Sequence, residues 1–331
     1  MKKRDEDLIK EKSLRRLGIL GLIVFFIFIF ILDAVPKIFS QTSLIPRFSN
    51  LFPNKSQNEL FLQEINEMQA LHQDKNLTYK KTPQNILAKS YVVYDIRDDK
   101  ILYAKNERQV LPLASLTKVV TAATAVNMKD RATKITIRSD YMREDEKLDF
   151  GLAEGQIWKM EDLLKYGLTI SSNSSMDIIA STIANSNSEF VSKMNDYTKS
   201  LGFRNFHFNS ASGLDYGEVI GGKGTAEEFA KFFAKSYEFI PDILSYTTNS
   251  RANIRSDVKS IYGVPNTFRE ADKSVGLLAS KTGFTDAAGG NLAIIFNYDI
   301  NRPLVIVVLG STPDGRFEDV KKIHEAITGL K

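Results

Sequence analysis

The sequence has 331 residues, of which 43% are hydrophobic and 25% are charged, as expected for a globular chain with a core. The formal net charge is +4, but the first sixteen residues hold seven basic and four acidic side chains, so the rest of the chain has no basic excess that would indicate nucleic-acid binding. The absence of cysteine excludes disulfides, thiolate metal ligands and a cysteine nucleophile.

The N-terminal region predicts a membrane anchor. Residues 17–32 (LGILGLIVFFIFIFIL) form an uncharged run after a basic tail over residues 1–16. A spanning helix needs about 20 apolar residues, and the core of a cleaved signal has about 7–15. We therefore predict an uncleaved, single-pass transmembrane signal-anchor over residues 17–35, with a cleaved signal or a buried soluble helix as alternatives. The basic tail is expected to stay in the cytoplasm, which places the remainder on the periplasmic or cell-wall side of the cell membrane.

Residues 36–85 are rich in Pro, Ser, Asn and Gln and are predicted to form a juxtamembrane linker. Within it, NELFLQEINEMQALHQ spaces Phe61, Ile65 and Met68 at helical intervals, which indicates one short helix. The folded domain is predicted to cover residues 86–331.

Strand patterns occur at both ends of this domain, with helical patterns between them. YVVYDI and KILYAK flank a turn at residues 97–99, and VGLLASKTGFT, NLAIIF and LVIVVLG follow near the end. From about residue 141 to 240, apolar residues mostly recur every three or four positions. We therefore predict an α+β fold, with one antiparallel sheet built from both ends of the domain, flanking helices and an inserted helical subdomain. The last helix carries an apolar stripe expected to pack on the sheet, formed by Phe317, Val320, Ile323, Ile327 and Leu330.

The stretch LPLASLTKVVTA places Ser115 at a predicted helix start and Lys118 one turn later. A serine hydroxyl needs a base to become a nucleophile, and His72, His207 and His324 lie in no motif of a catalytic triad or zinc site. A lysine can be the base when burial, a helix N-terminus or a second cation lowers its pKa. Taken alone, this spacing favours a helix cap followed by a surface lysine.

Two further motifs change this interpretation. TISSNSSMD contains Ser171, whose hydroxyl can relay a proton to a leaving amine, and Asn173, whose amide can bind a substrate amide. ASKTGFT places Lys281 and Thr282, which can hold a carboxylate, before Gly283, which lets an extended substrate lie close to the strand. In this order, S-x-x-K, S-x-N and K-T-G are the signature of penicillin-binding proteins and class A β-lactamases.

Over roughly residues 86–313 the sequence resembles the low-molecular-mass penicillin-binding proteins that act as serine D-alanyl-D-alanine carboxypeptidases. The resemblance rests on VYDIRDDKILYAKN, LPLASLTKVVTA, EDLLKYGLTISSNSSMDIIA, FVSKMNDYTKSLGFRNFHFNSASGLD and KTGFTDAAGGNLA. It implies a β-lactamase/transpeptidase-like fold and peptidoglycan stem peptides ending in D-Ala-D-Ala as the substrate. It also implies that β-lactam antibiotics are covalent inhibitors and that neither a cofactor nor a metal is needed.

The resemblance also implies a catalytic role for each of three residues. Ser115 would attack the carbonyl of the penultimate D-Ala, and Lys118 would be the general base, although the identity of the base is disputed across this superfamily. Ser171 would pass the proton to the leaving D-alanine. Water would then hydrolyse the acyl-enzyme.

Substrate binding is implied for the other motif residues. Asn173 would bind the acyl-side peptide, and Lys281 and Thr282 would hold the terminal carboxylate beside Gly283, with Lys281 also lowering the pKa of Lys118. The backbone N–H groups of Ser115 and Phe284 would form the oxyanion hole.

One departure and three alternatives remain. Ser174 and Ser175 stand where many relatives continue S-x-N with Asp-Ala, for which we expect a tuned subsite with activity retained. The carboxypeptidase is the leading hypothesis, and D,D-endopeptidase cleavage of cross-links is a variant from which the motifs do not distinguish it. A β-lactamase is disfavoured because no E-x-x-L-N stretch follows Asn173 at a suitable distance, and a non-catalytic wall-binding scaffold because Ser115, Lys118 and Lys281 are all present.

Overall fold

The computed structural model describes residues 82–141, 152–255, 260–299 and 301–329, all of which belong to one compact unit, Tyr79–Lys331. The predicted basic tail, membrane anchor and linker helix lie before residue 82, outside the described residues. Within the described ranges, no helix is both long enough and apolar enough to cross a membrane.

The described residues form twelve strands and seven α-helices. The strands are β1 Ser90–Asp95, β2 Lys100–Lys105, β3 Leu111–Pro112, β4 Lys134–Thr136, β5 Ile157–Lys159, β6 His207–Phe208, β7 Gly222–Gly224, β8 Arg251–Arg255, β9 Ser260–Pro265, β10 Leu277–Thr285, β11 Gly289–Asp299 and β12 Arg302–Ser311. The helices are α1 Thr117–Met128, α2 Met160–Ile170, α3 Asn173–Ile183, α4 Asn187–Ser200, α5 Ala226–Phe239, α6 Pro241–Leu244 and α7 Gly315–Thr328.

The largest sheet has five antiparallel strands in the order β10-β11-β12-β1-β2. Two of its strands come from the start of the domain and three from its end, which confirms the predicted sheet. Its register pairs apolar residues, with Val92 opposite Val307 and Ile294 opposite Ile306. The middle of β11 and β12 and the whole of β1 are buried, which explains their nearly continuous apolar sequences.

Helices cover both faces of this sheet. One face joins a large core with α1 to α5, and the other packs against α7. The predicted stripe of α7 therefore faces the sheet through Val320, Ile323 and Ile327, which are at most 4% exposed. Phe317 is partly buried beside this second core, and Leu330 lies outside the described residues.

The sequence did not predict β3 to β9, which form three small sheets with the orders β3-β7-β6, β4-β5 and β8-β9. The expectation of mostly helical structure between residues 141 and 240 is correct for α2 to α5 and wrong for β5, β6 and β7. These three strands have only two or three residues each, too few to show an alternating pattern.

Candidate active site

Ser115 lies in a short 3₁₀ helix, Ala114–Leu116, that leads directly into α1. The chain before it is fixed because the N–H of Leu113 donates to the carbonyl of Gly222 at 2.8 Å. The first nine residues of α1 are all buried, since this helix runs through the middle of the large core. A lysine one turn after Ser115 is therefore kept away from solvent, and Lys118 is 0% exposed.

The ammonium group of Lys118 donates to three oxygens. Its Nζ lies 2.7 Å from Ser115 Oγ, 2.7 Å from Asn173 Oδ1 and 2.7 Å from the backbone carbonyl of Ser212. The amide oxygen and the carbonyl oxygen can only accept hydrogen bonds. When the amine is neutral, its two hydrogens can satisfy these two acceptors, which leaves the nitrogen lone pair directed at the hydroxyl of Ser115.

The carbonyl of Ser212 reaches Lys118 because the following loop packs tightly against the 3₁₀ helix that contains Ser115. Gly213 has φ +78°, and a β-carbon at this position would overlap the carbonyl of Ala114. Thr121 of α1 also donates to the carbonyl of Ala211. Ser212 and Gly213 therefore form one wall of the site.

The junction between α2 and α3 presents the second motif. Ser171 ends α2 in the left-handed conformation with φ +65°, and the hydroxyl of Ser172 caps α3 by accepting from the N–H of Ser175 at 3.1 Å. This sharp turn brings Ser171 and Asn173 to the same site from different helices. Ser174 and Ser175 are 1% and 0% exposed, so the departure from the usual motif lies in the buried part of α3.

Strand β10 is an edge strand of the large sheet and supplies the third motif. Lys281 is 2% exposed, and its Nζ donates to Ser171 Oγ at 2.8 Å and to the carbonyl of Thr282 at 2.9 Å. Burial lowers the pKa of Lys281 well below its usual value, and the positive charges of Lys118 and Arg316 lower it further. Two lysines therefore share one buried site, where repulsion disfavours carrying both charges at once.

Gly283 allows β10 to approach Ser115 closely. A β-carbon at this glycine would lie 2.9 Å from the carbonyl of Leu113 and 3.2 Å from the backbone nitrogen of Ser115. The backbone nitrogen of Ser115 therefore faces the strand at the point where Phe284 follows. The side chain of Phe284 is 46% exposed.

Three groups of this site were not found from the sequence. They are the carbonyl of Ser212, the hydroxyl of Thr267, which accepts from Thr282 Oγ1 at 2.6 Å, and the guanidinium of Arg316, whose Nη1 donates to the carbonyl of Gly283 at 2.7 Å. Burial lowers the pKa of Arg316. Among the described residues, no group of three or more His, Cys, Asp or Glu side chains is placed to hold a metal ion.

The hydroxyl of Ser115 contacts a buried lysine, and the S-x-N and K-T-G groups surround it. This arrangement defines an acyl-transfer site with an active serine, of the β-lactamase and penicillin-binding-protein type. A family model described as D-alanyl-D-alanine carboxypeptidase matches residues 77–312, and the chain belongs to this family.

Curated relatives include both carboxypeptidases and endopeptidases. The chain is 29% identical over 262 residues to the D-alanyl-D-alanine carboxypeptidase DacD of Escherichia coli, a match that covers 75% of this chain and 65% of the relative. It is 28% identical to DacF of Bacillus subtilis, with 71% and 61% covered. It is 25% identical to a D-alanyl-D-alanine endopeptidase of Haemophilus influenzae, with 70% and 78% covered. The chain thus spans less than two thirds of the length of the two carboxypeptidase relatives.

Solved structures share the fold. Penicillin-binding protein D2 of Listeria monocytogenes in its ampicillin-bound form matches with a TM-score of 0.63 and 24% identity, covering 74% of this chain and 98% of that one. A D-alanyl-D-alanine carboxypeptidase of Mycobacterium tuberculosis matches with a TM-score of 0.67 and 22% identity, covering 78% and 97%. The β-lactamase/transpeptidase-like fold expected from the sequence is therefore confirmed.

Proposed function

We propose that this protein is a membrane-anchored serine D-alanyl-D-alanine carboxypeptidase that removes the terminal D-alanine from peptidoglycan stem pentapeptides through an acyl-enzyme on Ser115. The observation that carries the proposal is the contact of 2.7 Å between Lys118 Nζ and Ser115 Oγ, made by a lysine that is 0% exposed. A nucleophile and its base within hydrogen-bonding reach are the geometric requirement for covalent catalysis.

Acylation begins with neutral Lys118. Its lone pair takes the proton of Ser115 while Oγ attacks the carbonyl carbon of the penultimate D-alanine, and the amide oxygen of Asn173 and the carbonyl of Ser212 hold the amine in place. The negative charge that develops on the substrate oxygen is stabilised by the backbone N–H groups of Ser115 and Phe284. Loss of one such donor typically costs about 2.7–4 kcal/mol of transition-state stabilisation.

Departure of D-alanine requires a proton on its nitrogen. Ser171 Oγ accepts a hydrogen bond from Lys281 Nζ at 2.8 Å, so the hydroxyl hydrogen of Ser171 is left to donate elsewhere. This hydrogen goes to the leaving nitrogen, and the proton held by Lys118 replaces it. Water then attacks the acyl-enzyme, and the shortened peptide leaves with a new carboxylate.

The groups at the end of β10 can bind a free terminal carboxylate of the substrate, which favours exopeptidase activity. Lys281, Thr282 and Arg316 surround the end of β10 with two positive charges and a hydroxyl. The charge-assisted hydrogen bonds that these groups can form with a carboxylate are about twice as strong as neutral ones. The D,D-endopeptidase alternative is supported by endopeptidase relatives at 24–26% identity.

Two further parts of the proposal concern inhibition and location. β-Lactams are proposed to acylate Ser115, which is supported by ampicillin and cefotaxime complexes of a protein with the same fold. The uncharged run over residues 17–32 supports a single membrane span with the catalytic domain outside the cytoplasm.

The proposal is tested by measuring D-alanine release from a stem pentapeptide by the full-length protein and by its Ser115→Ala variant. Release is expected from the wild type and should disappear in the variant, along with labelling by a fluorescent penicillin. A cross-linked dimeric muropeptide, offered in parallel, tests the endopeptidase alternative. A folded wild type that releases D-alanine from neither substrate would refute the peptidase proposal.

A further inference from the structure

A threonine in a strand carries a hydroxyl and a methyl group on the same carbon, and rotation about one bond exchanges their positions. Thr282 of the K-T-G motif is 4% exposed, and its Oγ1 donates to Thr267 Oγ1 at 2.6 Å. This bond fixes which of the two groups Thr282 directs toward Thr267. No motif of the sequence contains Thr267.

The backbone around Thr267 is held from several directions. Its N–H donates to the carbonyl of Thr169 at 3.2 Å. The preceding residue, Asn266, is 4% exposed, and its side chain donates to the carbonyls of Thr247 at 2.9 Å and Asn249 at 3.0 Å. Asn266 Oδ1 also accepts from the N–H of Phe268 at 2.9 Å. Thr267 is therefore a fixed partner for Thr282, anchored to α2 and to the segment after α6.

A hydroxyl has one hydrogen to donate and can accept two hydrogen bonds, whereas a carboxylate can only accept. Thr282 now donates to Thr267, so it must turn its hydrogen toward a carboxylate when one binds. Thr267 can then reverse its role and donate to Thr282. The two hydroxyls become a chain, in which each hydrogen bond polarises and strengthens the next.

We propose that Thr267 is a positioning residue for the carboxylate of the substrate, acting through Thr282. This inference rests on the proposed function, because it assigns the ligand of Thr282 as the terminal carboxylate of the stem peptide. Arg316 Nη1, 2.7 Å from the carbonyl of Gly283, brings a positive charge to the same end of β10. The carboxylate site thus includes Thr267, which lies outside the three motifs and acts on the substrate through Thr282.

The test compares Thr267→Val with the wild type in the full-length protein. Valine keeps the shape of threonine and removes its hydroxyl. Each protein is assayed with a stem pentapeptide ending in a free carboxylate and with the same peptide ending in a carboxamide. For the acid we expect KM to rise about fivefold to tenfold, the effect of one hydrogen bond of about 1–1.4 kcal/mol, with a smaller change in kcat. For the carboxamide we expect little change, and Thr267→Ser should restore the wild-type preference.

Two further variants exclude a merely structural effect. Thr248→Val removes a hydroxyl that donates to the carbonyl of Ser245 at 2.7 Å and accepts from Asn249 Nδ2 at 3.5 Å, and it should keep the wild-type preference. The ratio of kcat/KM values for the two substrates does not depend on the fraction of folded enzyme, and Thr267→Ala should lower this ratio as Thr267→Val does. An equal loss on both substrates, or no loss on either, would overturn the inference.

A second readout separates this inference from the proposed function. The rate of acylation by a penicillin with its free carboxylate is compared with the rate for its methyl ester, in the wild type and in Thr267→Val. If the wild type releases no D-alanine but the variant loses its preference for the free penicillin, the proposed function fails, whereas the role of Thr267 in positioning a carboxylate through Thr282 is supported. If the wild type reacts with neither probe, both fail.

Discussion

Lys281 is a buried lysine whose charged form has no carboxylate among its hydrogen-bond partners in the described residues, and this predicts a conflict between stability and activity. Within the described ranges its Nζ donates to a hydroxyl and a carbonyl, and the charges of Lys118 and Arg316 further disfavour the charged form of Lys281. Lys281→Met keeps most of the length and volume of the side chain and removes its charge. We expect this variant to be more stable than the wild type and nearly inactive.

The magnitude follows from what the substitution leaves behind. Removing one member of a buried ion pair is strongly destabilising because the other charge stays unpaired. Replacing a whole buried ion pair by apolar groups of similar volume is often neutral or stabilising by about 1–4 kcal/mol, because burial of each charge is costly. Lys281 leaves no unpaired charge, and the two lost hydrogen bonds cost about 0.5–1.5 kcal/mol each. We therefore expect a net gain of about 1 kcal/mol, or about 2–4 °C in Tm for a domain of this size. Loss of this donor should lower kcat/KM by about a hundredfold or more.

The pH dependence of stability tests independently whether Lys281 destabilises the folded protein. The pKa of Lys281 is lowered in the folded state below the ordinary value of 10.5. Between the lowered pKa and 10.5, the unfolded chain binds a proton that the folded chain lacks, so wild-type stability rises with pH in this window. Lys281→Met has no such contribution. The difference in Tm between variant and wild type should therefore shrink as the pH is raised from 7 toward 10.

Thermal melts followed by circular dichroism at several pH values, together with D-alanine release, measure both effects. The control is Lys273→Met, an exposed lysine whose ion pair with Glu270 is also exposed, for which we expect a change within about 0.5 kcal/mol. A Lys281→Met protein that is less stable than the wild type at pH 7, or a difference that widens as pH rises, would refute the reasoning.

Two other substitutions separate the site from the scaffold. Gly283→Ala places a β-carbon against the backbone of Leu113 and Ser115. We therefore expect acylation by penicillin to slow about tenfold or more and the free energy of unfolding to fall by about 1–3 kcal/mol. An unchanged acylation rate would contradict this prediction. Asp319→Ala removes a buried carboxylate that accepts from two backbone N–H groups near β1 at 2.8 Å. Tm should therefore fall by an amount corresponding to about 2–4 kcal/mol. The specific activity of the folded protein should be retained. The exposed neighbour Glu318 provides the control Glu318→Ala, and an equal loss in both variants would show that burial is irrelevant.

The parts of the fold that could be predicted are those in which burial repeats over many residues. Strands β1, β11 and β12 have continuous apolar sequences because helices cover both faces of the sheet, and α7 has a clear stripe because only one of its faces is buried. The small sheets lacked such a signal. Strand β8 alternates between exposed and buried residues, but only Ala252 and Ile254 are apolar, and two residues do not establish a period.

The site residues also differ in whether their proximity could be predicted from the sequence. Ser115 and Lys118 are one helical turn apart, and Ser171 and Asn173 flank one helix junction, so their proximity within each pair follows from local spacing. The carbonyl of Ser212 could not be found by residue type, because every residue has a backbone carbonyl. Thr267 and Arg316 reach β10 from a loop and from α7, and no spacing rule connects them to Lys281.

The backbone at the site also departs from what the residue types favour. Ala114 and Ser171 both have positive φ, +47° and +65°, although alanine and serine rarely adopt this conformation. Each costs about 1–2 kcal/mol and persists only where its surroundings fix it. Ala114 directly precedes Ser115, with its carbonyl packed against Gly213, and the hydroxyl of Ser171 accepts a hydrogen bond from Lys281. Backbone strain at both residues therefore lies where the chain must turn to bring Ser115 and Ser171 to one site. This explains why residue propensity does not predict the backbone conformation at Ala114 and Ser171, although it does along the helices next to them.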